Sequence, residues 1–156
     1  MKGSVAALCI SEERGVPKKP VEEIFLEEDK GIRGDGHFGY GHRQVSLLGD
    51  EDIREMQKIL PSITYGAFAE NVVTRGVPLH KVALGDRIAL GDTLLEVTQI
   101  GKECHTKCVI YETAGSCIMP TKGIFCKVLR GGRVFPGDSA EWLPQGKDRA
   151  EEKEQI

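Results

Sequence analysis

Aromatic residues make up only 6% of the 156-residue chain, with one tryptophan. So few large rings, in a chain this rich in glycine, argue against a helical bundle. No charge sign dominates: 21 Lys and Arg face 24 Asp and Glu, a formal charge of −3. That balance lacks the basic footprint of a nucleic-acid binder. No apolar run is long enough to span a bilayer as a helix, and the first residues lack a charged-then-apolar signal pattern. These absences set the expectation of a cytoplasmic protein with neither a membrane nor a nucleic-acid partner. Five cysteines is an odd count, so a complete disulfide framework is not expected, and reduced thiols fit that compartment.

Glycine, by contrast, is abundant, with 19 residues. It points to many tight turns and away from a helical bundle. The length suits one domain with one modest core. Residues 1–144 carry the apolar pattern. Residues 145–156 are charged, almost free of apolar side chains, and read as a disordered tail.

Short strand-like runs occupy residues 4–10, 21–26, 44–48, 72–74, 82–84, 87–90 and 93–100. Three more follow at 125–129, 134–135 and 140–143. Gly85-Asp86, Gly91-Asp92, Gly131-Gly132 and Gly137-Asp138 punctuate them. Short strands at this spacing predict a mainly β fold, a closed or nearly closed barrel with a few short helices. The clearest helix spans 50–60: Asp50 as cap, Ile53, Met56, Ile59 and Leu60 as the apolar stripe, and Pro61 as the stop.

Four segments can carry chemistry. Residues 34–44 form a glycine-rich loop whose backbone can approach an anion closely. Within it, Asp35, Gly36 and His37 offer hydrogen bonds or proton transfer, and Arg43 can grip a phosphate or carboxylate. The spacing matches neither a Walker loop nor a dinucleotide fingerprint, and by residue types alone a plain surface loop, with Asp35 capping a turn, is the better reading. Glu70 and Asn71 either bind ligand or satisfy a turn. The segment 101–108 holds Cys104 and Cys108 beside Lys102, His105 and Lys107. Cationic neighbours stabilise a thiolate, which attacks electrophiles, carries sulfur or binds soft metals. The spacing differs from that of most zinc knuckles, and no second cysteine pair follows. Cys9 and Cys126 sit inside apolar runs and read as small buried thiols. In the fourth segment, 123–132, Lys127 and Arg130 can reach an anion, although most of it reads as strand and turn.

The order of these pieces resembles the MOSC domain, the module named after the C-terminal part of molybdenum cofactor sulfurases. The matching stretches are Lys18-Lys19-Pro20-Val21, Gly34-Asp35-Gly36-His37, Arg43-Gln44-Val45-Ser46-Leu47 and Gly66-Ala67-Phe68-Ala69-Glu70-Asn71. Leu84-Gly85-Asp86, the 104–108 segment, Gly123-Ile124-Phe125 and Pro136-Gly137-Asp138 complete the set. The resemblance implies a barrel similar to the one in pyruvate kinase and a role with molybdenum cofactor, a pterin bearing a dithiolene and a phosphate. It implies that the key cysteine is Cys108, with Cys104 as competitor, carrying sulfur or ligating molybdenum where the cofactor is retained. Asp35, Gly36, His37, Arg43, Glu70, Asn71 and Lys107 are then the expected cofactor-binding residues. Many relatives place a Pro-Arg type sequence before that cysteine, where this chain has His105-Thr106-Lys107.

The chain carries no stretch like the pyridoxal-phosphate desulfurase domain of larger relatives. A separate cysteine desulfurase and a molybdoenzyme are thus the expected partners. Three functions follow as expectations: a cofactor-binding protein that handles sulfur, a molybdenum-dependent reductase of N-hydroxylated or N-oxide compounds, and a non-catalytic module of cofactor metabolism.

Overall fold

The computed structural model describes residues 2–13, 16–39, 41–101 and 123–145. In chain order its elements are β1 (Lys2–Ile10), β2 (Lys19–Val21), β3 (Ile24–Glu27), β4 (Gly31–Ile32), β5 (Val45–Gly49), α1 (Asp50–Gln57) and β6 (Val72–Arg75). There follow β7 (Arg87–Leu90), β8 (Thr93–Ile100), β9 (Ile124–Arg130), β10 (Gly132–Val134) and β11 (Ser139–Leu143). Seven strands run in the order β11-β7-β8-β9-β5-β6-β1, and β1 pairs back onto β11. The barrel is therefore closed, which leaves those strands no open edge. β2 extends the sheet from the far half of β1, and β10-β3-β4 form a separate small sheet. Every pairing is antiparallel except β5 with β6.

Strand alternation sorts the apolar residues into two layers. Leu8, Leu47, Val72, Ile88, Leu95 and Val128 join one buried cluster, on which Leu26 and Val134 of the small sheet also pack. Leu48, Val73 and Phe125 point the other way and meet Ile53, Met56 and Phe68, so α1 and the loop after it cover that outer face. β1 contributes to both layers because its register shifts between Val5 and Ala7. The bulge keeps Val5 and Leu8 in the first cluster and puts Ala7 in the second.

Four expectations need correction. Asp50 does not cap α1. Gly49 occupies the N-cap without a side-chain bond, and Asp50 is buried in the first turn. Its carboxylate accepts from Arg54 Nε at 2.8 Å, Tyr65 Oη at 2.9 Å and Arg75 Nε at 3.1 Å, tying the helix to β6. Second, α1 stops at Gln57, and Ile59 is 57% exposed. At helical pitch Ile59 stands roughly 120° round from Ile53, off the buried stripe. Third, residues 82–84 make no strand. A 3-10 turn at Leu79–Lys81 precedes them, and Asp86 Oδ2 accepts from Ala83 N at 2.9 Å, turning the backbone away from a ladder. The expected strand over 21–26 is divided at Glu22 and Glu23 between β2 and β3, which belong to different sheets. The 145–156 tail lies outside the described residues beyond Gln145.

Candidate functional site at one end of the barrel

Strand directions decide which loops meet. β5 and β6 are parallel, so both begin at the same barrel end. β1 is antiparallel to β6 and β9 to β5, while β8 is antiparallel to β9. Ile10 pairs with Lys19, and Ile100 with Ile124. Ser11, Lys18, Arg43 and Asn71 consequently flank one rim; Gly101 and Gly123, at the end of β8 and the start of β9, are tied to Arg43 through Gln99 and not by strand direction.

Asp35 is the centre of a buried network on that rim. Its Oδ1 accepts from Lys18 Nζ at 2.8 Å, Asn71 Nδ2 at 3.1 Å and Ser11 N at 3.2 Å. Its Oδ2 accepts from His37 N at 3.0 Å and faces His37 Nδ1 at 3.5 Å. Burial by itself raises a carboxylate pKa. Here the bonds from His37 and Lys18 and the lysine charge outweigh it and hold Asp35 far below the ordinary range. Gly36 N donates to Ser11 O at 2.7 Å, pinning the start of the glycine loop to the end of β1.

Asn71 joins three chain segments. Besides reaching Asp35, its Nδ2 donates to Cys9 O at 3.0 Å, and its Oδ1 accepts from Ser46 N at 3.0 Å. Glu70 is wholly buried and holds the preceding turn: Gly66 N donates to its Oε2 at 2.7 Å and Phe68 N to its Oε1 at 3.0 Å. Burial raises the Glu70 pKa against the pull of those donors and of Lys18. Glu70 thus shapes backbone. It lies too deep to meet a ligand from solvent.

Arg43 stands further round the rim. Its Nε donates to Gln99 Oε1 at 3.0 Å, and its guanidinium lies 5.7 Å from the Phe125 ring centre. The His42 ring, through Nε2, meets the same Gln99 oxygen at 2.8 Å. Gln99 Nε2 donates to Gly101 O at 2.8 Å, and Gly101 N donates to Gly123 O at 2.7 Å. Arg43 is thereby coupled to the residue from which the chain continues toward the cysteine segment. Neither terminal guanidinium nitrogen of Arg43 hydrogen-bonds a described residue, which leaves a planar pair of donors on a half-buried side chain. Gln44 is buried and anchors the loop's far end, giving Nε2 to Gly41 O at 2.9 Å and taking Val128 N at 3.0 Å.

Of the residues named from sequence, Asp35, Gly36, His37 and Asn71 are brought into one network, Glu70 lies beneath it, and Arg43 belongs to a neighbouring one. Cys104, Cys108 and Lys107 lie outside the described residues. Cys9 and Cys126 are fully buried; burial, with Glu70 nearby, pushes the Cys9 thiol up to about 12. Lys18, Ser46 and Gln99 are important to the site, and residue-level reading did not select them. Nothing local separates the buried Lys18 from the exposed Lys19 next to it. Gln99 carried one signal, a polar residue near the end of an otherwise apolar strand.

The family model of the MOSC domain matches residues 33–141. A curated protein of Bacillus subtilis (strain 168), the uncharacterized YflK, is 23% identical over 145 residues, which is 86% of this chain and 66% of that protein. The chain therefore spans just under two thirds of that relative. The crystal structure of the YuaD protein from Bacillus subtilis superposes with a TM-score of 0.79 at 21% identity, covering 94% of this chain and 98% of that one. YiiM from Escherichia coli superposes with a TM-score of 0.66 at 20% identity, covering 94% and 71% respectively. At these identities the structural likenesses bear on the fold.

Proposed function

This chain belongs to the MOSC domain family, which is associated with molybdenum-cofactor-related proteins, and from that premise we propose that it binds molybdenum cofactor and handles sulfur through Cys108, with Cys104 as the competing carrier. The observation that carries the reading is the Arg43–Gln99–Gly101 chain of contacts. It links the Arg43 guanidinium, through Gln99, to Gly101, from which the polypeptide leads to both cysteines. The donor set suits the group. Arg43 offers paired N–H donors for a phosphate, and His42 stands on the same Gln99 oxygen. The two carboxylates within the rim are already engaged, Asp35 by Lys18 and Glu70 by backbone N–H groups, so neither opposes an anion directly.

In this reading Arg43 holds the phosphate, and the 34–39 backbone, fixed by Asp35, borders the polar pterin. Lys107 and His105 favour the Cys108 thiolate by their charge. That thiolate takes a sulfur atom from a donor persulfide, leaving the donor as a thiolate and Cys108 as a persulfide. When bound, the cofactor supplies a soft metal and dithiolene as the sulfur acceptor.

The test is mass spectrometry of the protein after incubation with a cysteine desulfurase and cysteine. One persulfide is expected on wild-type protein and none on Cys108→Ala. An unchanged yield in that variant removes Cys108 from the role. Molybdenum and pterin analysis of protein made in a cofactor-producing host tests the binding half separately.

A further inference from the structure

Several arginines of this chain are held by carboxylates. Arg33 pairs with Glu27 at 3.0 Å, Arg54 and Arg75 share Asp50 at 2.8 and 3.1 Å, and Arg133 meets Glu23 at 3.3 Å. Those charges are answered within the protein. Arg43 is different: Gln99, a neutral amide, holds it through Nε, and among the described residues no carboxylate pairs with it. An amide fixes a guanidinium without cancelling its charge. With Nε engaged, the two terminal nitrogens are the donor pair left for an oxyanion.

The orientation of the Gln99 amide is settled from both sides. Gly101 O can only accept, so Nε2 meets it at 2.8 Å; Arg43 Nε can only donate, so Oε1 meets it at 3.0 Å. The same Oε1 lies 2.8 Å from His42 Nε2. An amide oxygen has no hydrogen to give, so the His42 hydrogen is on Nε2. Thr98 Oγ1 donates to His42 O and fastens the loop to β8 beside Gln99. One side chain thus sets the guanidinium and the ring together and puts no negative charge next to either.

We infer that Gln99 is a positioning residue for phosphate binding: its neutral amide aligns Arg43 and fixes the His42 tautomer while leaving the Arg43 charge for a phosphate monoester. The inference rests on the cofactor-binding reading for the identity of that phosphate. Two substitutions separate alignment from charge. Gln99→Glu keeps an acceptor for Arg43, but its carboxylate takes the guanidinium as Glu27 takes Arg33. Gln99→Met leaves the charge free and loses the alignment. Both lose the bond to Gly101 O. If Gln99 were only a brace between loop and strand, Gln99→Glu would be the milder change, because it keeps a bond to Arg43. A phosphate site predicts the opposite order.

Inorganic phosphate is the probe, titrated at constant ionic strength and followed by nitrogen NMR of the Arg43 Nε–H and the His42 ring. Arg43→Lys and His42→Gln assign those signals. Wild-type protein is expected to show a saturable shift. Gln99→Met should bind several-fold more weakly, and Gln99→Glu more weakly still, by roughly tenfold or more relative to wild type. Equal affinities, or tighter binding by Gln99→Glu than by Gln99→Met, overturn the inference. So does a wild-type titration with no saturable shift. Urea midpoints of the two variants show that the order in binding is not an order in stability. Should neither variant fold, wild-type protein decides alone. In mildly alkaline buffer, long-range proton–nitrogen correlation is expected to find His42 with a protonated Nε2 and a bare Nδ1, and a protonated Nδ1 overturns the inference. Failure of the cofactor reading looks different: the protein then binds inorganic phosphate in the expected order but takes up no molybdopterin.

Discussion

Lys18 Nζ lies 2.8 Å from Asp35 Oδ1, and neither side chain reaches solvent. Removing one partner strands the other charge in the interior. Lys18→Met is therefore expected to cost about 3–5 kcal/mol. The double change Lys18→Met with Asp35→Leu is expected to regain much of that loss, because no charge is then left unpaired. Urea unfolding of the three proteins measures it. A single variant as stable as wild type contradicts the burial of the pair.

The same carboxylate sets an acid limit. Its folded pKa lies below the unfolded value of 3.8, so it is charged in both states at neutral pH and its full contribution is present there. As pH falls through the unfolded value, the unfolded chain takes up a proton first, and the contribution drains away toward the folded pKa. Asp50 is shifted the same way: burial raises it, and bonds from Arg54, Tyr65 and Arg75 overcome that. Stability is expected to fall steeply below about pH 4. Asp35→Asn should flatten that slope as well as lower the plateau. Unfolding free energies measured across the acid range show whether the slope changes.

Gly66 and Gly137 have nearly the same left-handed backbone, φ +92° and +95°, in different surroundings. A Cβ on Gly66 falls 2.0 Å from Lys18 O, while one on Gly137 meets nothing within 4 Å. Gly137→Ala should cost about 1–2 kcal/mol, the strain of the backbone region alone. Gly66→Ala should cost clearly more, because the Lys18 carbonyl must move away, and that strains the bond by which Lys18 N donates to Gly66 O at 2.8 Å. Thermal or urea midpoints of the two variants compare them. Equal losses contradict the close approach of the 66–70 turn to Lys18.

Thiol accessibility divides the cysteines. Cys9 is fully buried with its thiol pushed up to about 12, and Cys126 is buried and raised as well. Thiolate is the reacting form, so at pH near 8 neither should be alkylated in native protein. Peptide mapping after iodoacetamide, with and without denaturant, is expected to find both labelled only after unfolding. Native labelling of Cys126 contradicts its place in the core cluster.

The barrel was legible because it depends on local signals. Gly-Asp turns and period-two runs marked β7 and β8 to the residue, and buried thiols were readable at Cys9 and Cys126 from their apolar neighbours. Asp50 was misread because a cap and a buried acceptor look alike until Arg75, far along the chain, is brought to it. Residues 82–84 look like a strand until Asp86 folds back on Ala83. Lys18 could not be chosen over Lys19 without knowing that β2 pairs with the end of β1. Such contacts join residues distant in sequence, and the pattern of any one segment does not encode them.

Arg43 separates ligand binding from fold. Its base is held by one bond to Gln99 and by the Phe125 face, and its outer nitrogens have no described partner. Arg43→Ala should leave stability within about 1 kcal/mol of wild type, since it breaks no buried network. If the guanidinium grips the phosphate of molybdopterin, the loss of a two-toothed charged contact weakens binding by roughly tenfold or more, about 1.5–3 kcal/mol. Arg43→Lys keeps the charge and loses the paired geometry, so it should fall between the two. Pterin fluorescence titration gives all three affinities. Equal affinity for wild type and Arg43→Ala, with stability unchanged, removes the phosphate from this part of the rim and leaves the Gln99 contact as a brace between the glycine loop and β8.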